Sequence, residues 1–193
     1  MISVIKLGGS LIKNGRIQHC LEHLDSISGT KVIVPGGGGF ADQVRQAQVV
    51  WGFDDRIAHR MALLAMQQSA WLMHSLQPAS GFLSNISTSV PNDHNTHFWL
   101  PNIDQLNAAG IAASWQVTSD SLAMWLADQL NAQQLILVKS ARIDPQASLA
   151  DLQVQGILDQ AFLQFAQHSA VSIRVVHLNS FLQDTCSNCS SHY

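Results

Sequence analysis

A chain of 193 residues with 47% hydrophobic residues is long enough to bury roughly two-thirds of its unfolded surface in one domain. Only 12% of the residues are charged, and the net charge of -3 includes just four lysines and six arginines scattered along the chain. That leaves no basic stripe for a nucleic-acid backbone, and the low charge density points to a homo-oligomer, a homodimer or larger, that covers part of a neutral surface.

No apolar stretch approaches the roughly 18 residues that span a bilayer, and the N-terminus opens on a strand-like run without a signal-peptide pattern. A cytoplasmic protein with no membrane partner is expected. Cys20, Cys186 and Cys189 are too few and too unevenly placed for a disulfide framework. The Cys186-Ser187-Asn188-Cys189 spacing has no second ligand pair nearby and reads as a frayed polar tail, so no metal site is expected.

In chain order, Ile2 to Leu7 is an apolar, β-branched run that ends at Gly8-Gly9, and Lys31 to Pro35 is a second that ends at Gly36 to Gly39. A short helix is predicted from Phe40 to Val50. A longer one is predicted from Asp54 to Leu76, with Ile57, Met61, Leu64, Ala65 and Leu72 at helical spacing. Pro78 to Asn95 is rich in Ser, Asn, Thr, Gly and Pro and reads as a loop. After a strand at His97 to Pro101 and a short helical piece at Asp104 to Ala109, Thr118-Ser119-Asp120-Ser121 opens a helix that runs to about Leu130. Thr118 or Ser119 is the natural cap there, and Asp120 falls in the dipole-favoured first turn. Strands follow at Leu135 to Lys139 and Ser172 to His177. The alternation predicts an α/β sandwich on a mainly parallel sheet, formed by a single domain over 1–193.

Two strands that end in glycine turns expose rows of backbone N–H groups to which anionic oxygens come close. One turn serves a donor phosphate and the other an acceptor, which is the layout of a phosphoryl transfer. Lys6 stands just before Gly8, Gly9 and Ser10 at a strand end, where an ammonium neutralises charge on the transferred group. Asp120 is the strongest carboxylate candidate, positioned to orient Lys6 or a magnesium-bound phosphate. Asp42 and Arg45 lie one turn apart after the second glycine run, and either a role at the acceptor or a solvated ion pair fits them. His59 on the long helix points toward the same cleft or packs at its edge, and Lys139 reaches the nucleotide or sits at a strand-end surface. The five tryptophans are expected in the core or a subunit interface, Trp115 being nearest a candidate site. The Walker A and dinucleotide-fold fingerprints are absent. A lobe boundary near Ala113 would separate acceptor binding, about 1–113, from nucleotide binding, about 114–193, on one shared sheet.

Lys6-Leu7-Gly8-Gly9-Ser10-Leu11, Val34-Pro35-Gly36-Gly37-Gly38-Gly39-Phe40-Ala41 and Thr118-Ser119-Asp120-Ser121 occur in that order and resemble the amino acid kinase superfamily. Ser114-Trp115 before the third motif and His59 before the apolar helix are similar to the branch that phosphorylates an aminomethylfuran-methyl phosphate to its diphosphate, in methanofuran biosynthesis and tetrahydromethanopterin-linked one-carbon metabolism. The resemblance implies ATP and Mg2+ as cofactors and a three-layer αβα sandwich with a mainly parallel central sheet, assembled as dimers or dimer-based oligomers. It implies that Lys6 and Asp120 are catalytic, with Asp120 orienting the lysine machinery. Gly8, Gly9, Ser10, Ser119 and Lys139 would hold ATP phosphates, and Gly36, Gly37, Gly38, Arg45 and His59 would meet the acceptor.

One departure stands out. Many members carry a Thr-Asp-Val-x-Gly type segment and a later catalytic lysine, whereas this chain reads Lys139-Ser140-Ala141-Arg142 and has no lysine after Lys139. Either Lys139 or Arg142 takes over that charge, or the nucleotide site is weakened. An amino-acid carboxylate kinase and a non-catalytic nucleotide- or oxyanion-binding member of the fold stay open as alternatives.

Overall fold

The computed structural model describes residues 1–86 and 93–183. The Cys186 to Cys189 tail and part of the Pro78 to Asn95 segment lie outside the described residues. Six strands, β1 (Ile2–Leu7), β2 (Thr30–Pro35), β3 (Gly81–Leu83), β4 (Thr96–Trp99), β5 (Gln134–Lys139) and β6 (Ser172–His177), form one sheet in the order β3-β4-β2-β1-β5-β6. Every pairing is parallel. Parallel strands need crossovers that cover both faces, which is why β2 is buried at every position and β1 at all but Ile2. The α/β sandwich expected from the strand and helix alternation is therefore observed, in the three-layer αβα form that the resemblance implies.

Among the described residues the helices are α1 (Gly9–Lys13), α2 (Ile17–Leu24), α3 (Gly38–Trp51), α4 (Asp55–Leu76), α5 (Ile103–Ala108), α6 (Ser119–Gln129), α7 (Leu149–Val154), α8 (Phe162–Ala166) and α9 (Leu178–Gln183). Strand alternation divides the core in two. Val4, Leu135 and Leu137 face α6, α7 and α8 through Leu122, Leu126, Leu152 and Phe162. Ile5, Leu7, Ile136 and Val138 face α1, α2 and α9 through Leu11, Leu21, Leu24 and Phe181. The crossover after β1 thus lies on one face and that after β5 on the other, although the two strands are neighbours. This is a topological switch point, where strand ends splay open and ligands gather.

Two local signals set the long helices. Gly52, at φ +66, ends α3 in the left-handed conformation with its N–H on the Gln48 carbonyl. Asp54 then caps α4, its carboxylate accepting from Ile57 N–H at 3.0 Å. The segment predicted as a loop contains the short strand β3, too brief to show a period in sequence. Gly81 is required in it, because a Cβ there would lie 2.7 Å from the His97 ring. Trp99 is fully buried as expected of a core tryptophan, whereas Trp51 and Trp71 are 79% and 57% exposed.

Candidate active site

The two glycine turns meet. A Cβ on Gly9 would lie 2.1 Å from Gly38 Cα, and one on Gly36 would lie 2.6 Å from Gly9 N. Main chain therefore touches main chain across the C-terminal edge of the sheet, and Gly38 takes φ +54 to make the contact. The glycines read from sequence as a ligand cradle have in part a packing role. Gly9 and Gly36 are needed to let the loops approach, while Gly39 has no neighbour that a Cβ would touch.

Lys6 and Lys139 end adjacent strands and, by strand alternation, emerge on the face covered by α6. The start of α6 sets Asp120 between them. Lys139 Nζ donates to Asp120 Oδ2 at 2.5 Å and to the Ile157 carbonyl at 2.6 Å. Lys6 Nζ lies 2.9 Å from Oδ1 as an ion pair off the hydrogen-bond direction, so Oδ1 accepts no aligned hydrogen bond. Asp120 is 4% exposed. Burial pushes its carboxyl upward, but the two ammonium charges outweigh that and hold it below the ordinary carboxylate value. Burial first, and the Lys6 charge second, pull Lys139 down to about 8 against the opposing pull of Asp120. Two cations on one buried carboxylate leave a net positive charge beside Gly8, whose Cβ position is 3.6 Å from Lys6 Nζ. Ser10 Oγ meets Ser140 Oγ at 3.0 Å and ties the first glycine turn to the end of β5.

In front of the glycine turns a cleft of about 360 Å³ opens, lined among others by Ser10, Gly37, Arg45, His59, Trp115 and Ser119. Ala62, Leu63 and Met66 of α4 give it an apolar wall. Arg45 pairs with Asp42 at 3.2 Å and stacks 4.2 Å above the Trp115 ring, which in turn donates from Nε1 to Gln48 Oε1 at 2.7 Å. The guanidinium is thus stacked on an indole face while about half of its side chain stays open to solvent. His59 is 6% exposed and its Nε2 has no hydrogen-bond partner. Burial lowers its pKa, so the ring is a neutral imidazole with an unsatisfied nitrogen on the cleft wall.

The residues that build the lysine–aspartate–lysine cluster and both glycine turns fall within a stretch, residues 1–142, that the sequence profile of the amino acid kinase family fits. The chain belongs to the amino acid kinase family. A relative, the [5-(aminomethyl)furan-3-yl]methyl phosphate kinase of Methanocaldococcus jannaschii, is 25% identical over 141 residues, 69% of this chain and 63% of that protein. The alignment thus spans less than two-thirds of that relative. Among solved structures, the uridylate kinase of Archaeoglobus fulgidus superimposes at a TM-score of 0.72 with 15% identity, covering 97% of this chain and 96% of the other. The aspartate kinase of Synechocystis gives 0.66 with 17% identity over 92% of this chain and 38% of the other. At those identities the structures establish the shared fold.

Within this family fold the site residues read from sequence fall into two groups. Lys6, Asp120 and Lys139 form the buried charge cluster, with Gly8 beside Lys6. Gly9, Ser10, Ser119, Gly36, Gly37, Gly38, Arg45 and His59 line the cleft. Lys139 is therefore neither at a free surface nor aimed outward: it is bound to Asp120. Sequence reasoning missed Asp159. Thr118 stands at the cap position of α6 but makes no cap bond of its own. Instead Thr118 N–H and Oγ1 each donate to Asp159 Oδ2 at 2.9 Å, Ser121 N–H donates to it at 3.0 Å, and Ser121 Oγ donates to Oδ1. A carboxylate far downstream in the chain replaces the local cap, and no spacing rule signals that.

Proposed function

We propose that this protein transfers the γ-phosphoryl group of ATP to a small phosphate monoester, of the class of (aminomethyl)furanmethyl phosphate, to give a diphosphate. The observation that carries the reading is the Lys6–Asp120–Lys139 cluster beside the facing glycine turns. In phosphoryl transfer the protein's task is to hold both reactants in line and to neutralise charge spreading over the equatorial oxygens. An acceptor phosphate oxygen forms the new bond to Pγ, the bond from Pγ to the β–γ bridging oxygen breaks, and ADP leaves with the electron pair. A phosphate monoester is largely dianionic at neutral pH, so no base is needed. Lys6, from β1, and Lys139, from the nucleotide half after about Ala113, would take up the charge on the donor side. Arg45 would hold the acceptor phosphate, the apolar wall its ring, and Asp55 at the cleft rim its amine. The relative from Methanocaldococcus jannaschii, whose name states such an acceptor, supports that choice.

ATP is the donor in this reading and the cytoplasm its compartment. Among the described residues no group of three His, Cys, Asp or Glu could hold a metal ion, and both Asp120 oxygens face lysines. Magnesium would therefore enter as a ligand of the nucleotide phosphates. No helix among the described residues is long and apolar enough to cross a membrane.

The test is an ADP-release assay with (aminomethyl)furanmethyl phosphate, UMP, aspartate, glutamate and acetylglutamate side by side. Turnover confined to the furan phosphate is expected. Turnover with an amino acid would overturn the acceptor, and ATP binding without turnover would overturn the activity. In the active pair, Arg45→Ala should raise the acceptor KM about tenfold or more, the loss of one charged hydrogen bond, while the KM for ATP stays within about twofold. Equal effects on both would place Arg45 elsewhere.

A further inference from the structure

We infer that Asp159 is a positioning residue of the phosphoryl-transfer site: through the N-terminus of α6 and the 157–159 segment it holds Asp120 and Lys139 in register with each other. The inference rests on the kinase reading but has its own observable.

Four donors converge on this one carboxylate, two from Thr118 and two from Ser121, the residues that bracket Ser119 and Asp120 in the turn. An ionised acceptor makes such bonds about twice as strong as neutral ones. The first turn of α6 would otherwise leave its N–H groups unsatisfied, since Thr118 caps nothing itself. Two residues upstream, the Ile157 carbonyl accepts from Lys139 Nζ at 2.6 Å. One short segment therefore grips both partners of the Asp120–Lys139 contact, the helix start by a side chain and the lysine by a carbonyl. Neither Asp159 nor Ile157 lines the cleft, so Asp159 acts through its neighbours. The charged groups facing Lys139 are Lys6 from β1, Asp120 from α6 and Asp159 from this segment, and the Asp159 charge helps keep Lys139 protonated.

The experiment compares Asp159→Asn with Ser148→Ala. The latter breaks the Ser148–Asp151 capping box of α7, whose bonds involve none of Lys6, Asp120, Lys139 or Asp159. Both are expected to lower the melting temperature and remain folded. Asp159→Asn should lower kcat about 10- to 100-fold with the KM for ATP and acceptor within about threefold, and move the alkaline limb of kcat/KM to lower pH. Ser148→Ala should move neither. Amine labelling of Lys139 followed by mass spectrometry across pH gives a readout without turnover: the Lys139 titration should shift downward in Asp159→Asn alone. If wild-type protein phosphorylates none of the acceptors but the labelling shift occurs, the kinase reading falls and the positioning role stands. If Asp159→Asn matches Ser148→Ala in kcat, pH limb and labelling, Asp159 is a fold-stabilising cap only and the inference is overturned.

Discussion

At the scale of single residues, the buried lysine pair sets a pH dependence with a definite sign. Lys139 stands at about 8 in the folded protein against an ordinary 10.5, with burial the main cause and Lys6 the next. As pH rises through about 8 the folded protein loses this proton, so kcat/KM for ATP, which reports the free enzyme, should fall along a single-proton alkaline limb. Stability responds in the opposite direction. Between about 8 and 10.5 the unfolded chain holds a proton that the folded chain has released, so stability contributed by this group rises with pH. An activity profile flat from pH 7 to 10 would show that the charge of Lys139 is not used. The glycine contact is equally specific. Gly9→Ala drives a methyl into Gly38 and should abolish activity and cut the melting temperature, whereas Gly39→Ala meets nothing and should leave the melting temperature unchanged or higher, since alanine costs less than glycine in a helix. Thermal melts of the two variants decide it.

At the scale of elements, α4 is the longest piece of the cleft wall, and its start is fixed by one side chain. Asp54 accepts from Ile57 N–H, and Asp54→Ala removes that cap and should lower the midpoint of a urea titration. Because Asp55 and His59 in the first turns of this helix line the cleft, the acceptor KM should rise with it. The start of α6 behaves differently. Its local sequence looks self-sufficient, with a threonine and two serines around Asp120, yet the satisfying oxygen arrives from Asp159. A cap supplied from elsewhere in the chain ties the orientation of α6 to the completed fold.

At the scale of the molecule, Ile57, Met61, Leu64 and Trp71 stand exposed at helical spacing along α4, beside exposed Val50 and Trp51 at the end of α3. The stripe is centred on Leu64, with Ile57 and Trp71 seven residues to either side. A second copy packed antiparallel would set Leu64 against Leu64 and Ile57 against Trp71, an isologous contact of the kind that closes dimers. If wild-type protein runs as a dimer in size-exclusion chromatography with light scattering, Leu64→Glu should convert it to a monomer. A wild-type monomer would remove the idea.

The glycine runs, the strand-end Lys6, the β-branched runs and the extent of α4 were legible from residues alone, because each is a local pattern whose physics acts within a few positions. They pointed to a sandwich on a mainly parallel sheet with both glycine turns at strand ends. Ile57, Met61 and Leu64, which marked the period of α4, nevertheless face outward, and its buried side is carried by Ala58, Leu63, Ala65, Met66 and Ala70. The tertiary structure decided which charges meet. Lys139 and Asp120 are 19 positions apart and Lys6 lies far upstream of both, and they become one cluster only when β5 is laid beside β1 and α6 across both. It also decided that two glycine turns touch and that Asp159 finishes a helix it does not belong to. Charge pairing and close packing depend on distance in space, which sequence spacing does not encode beyond a turn or two.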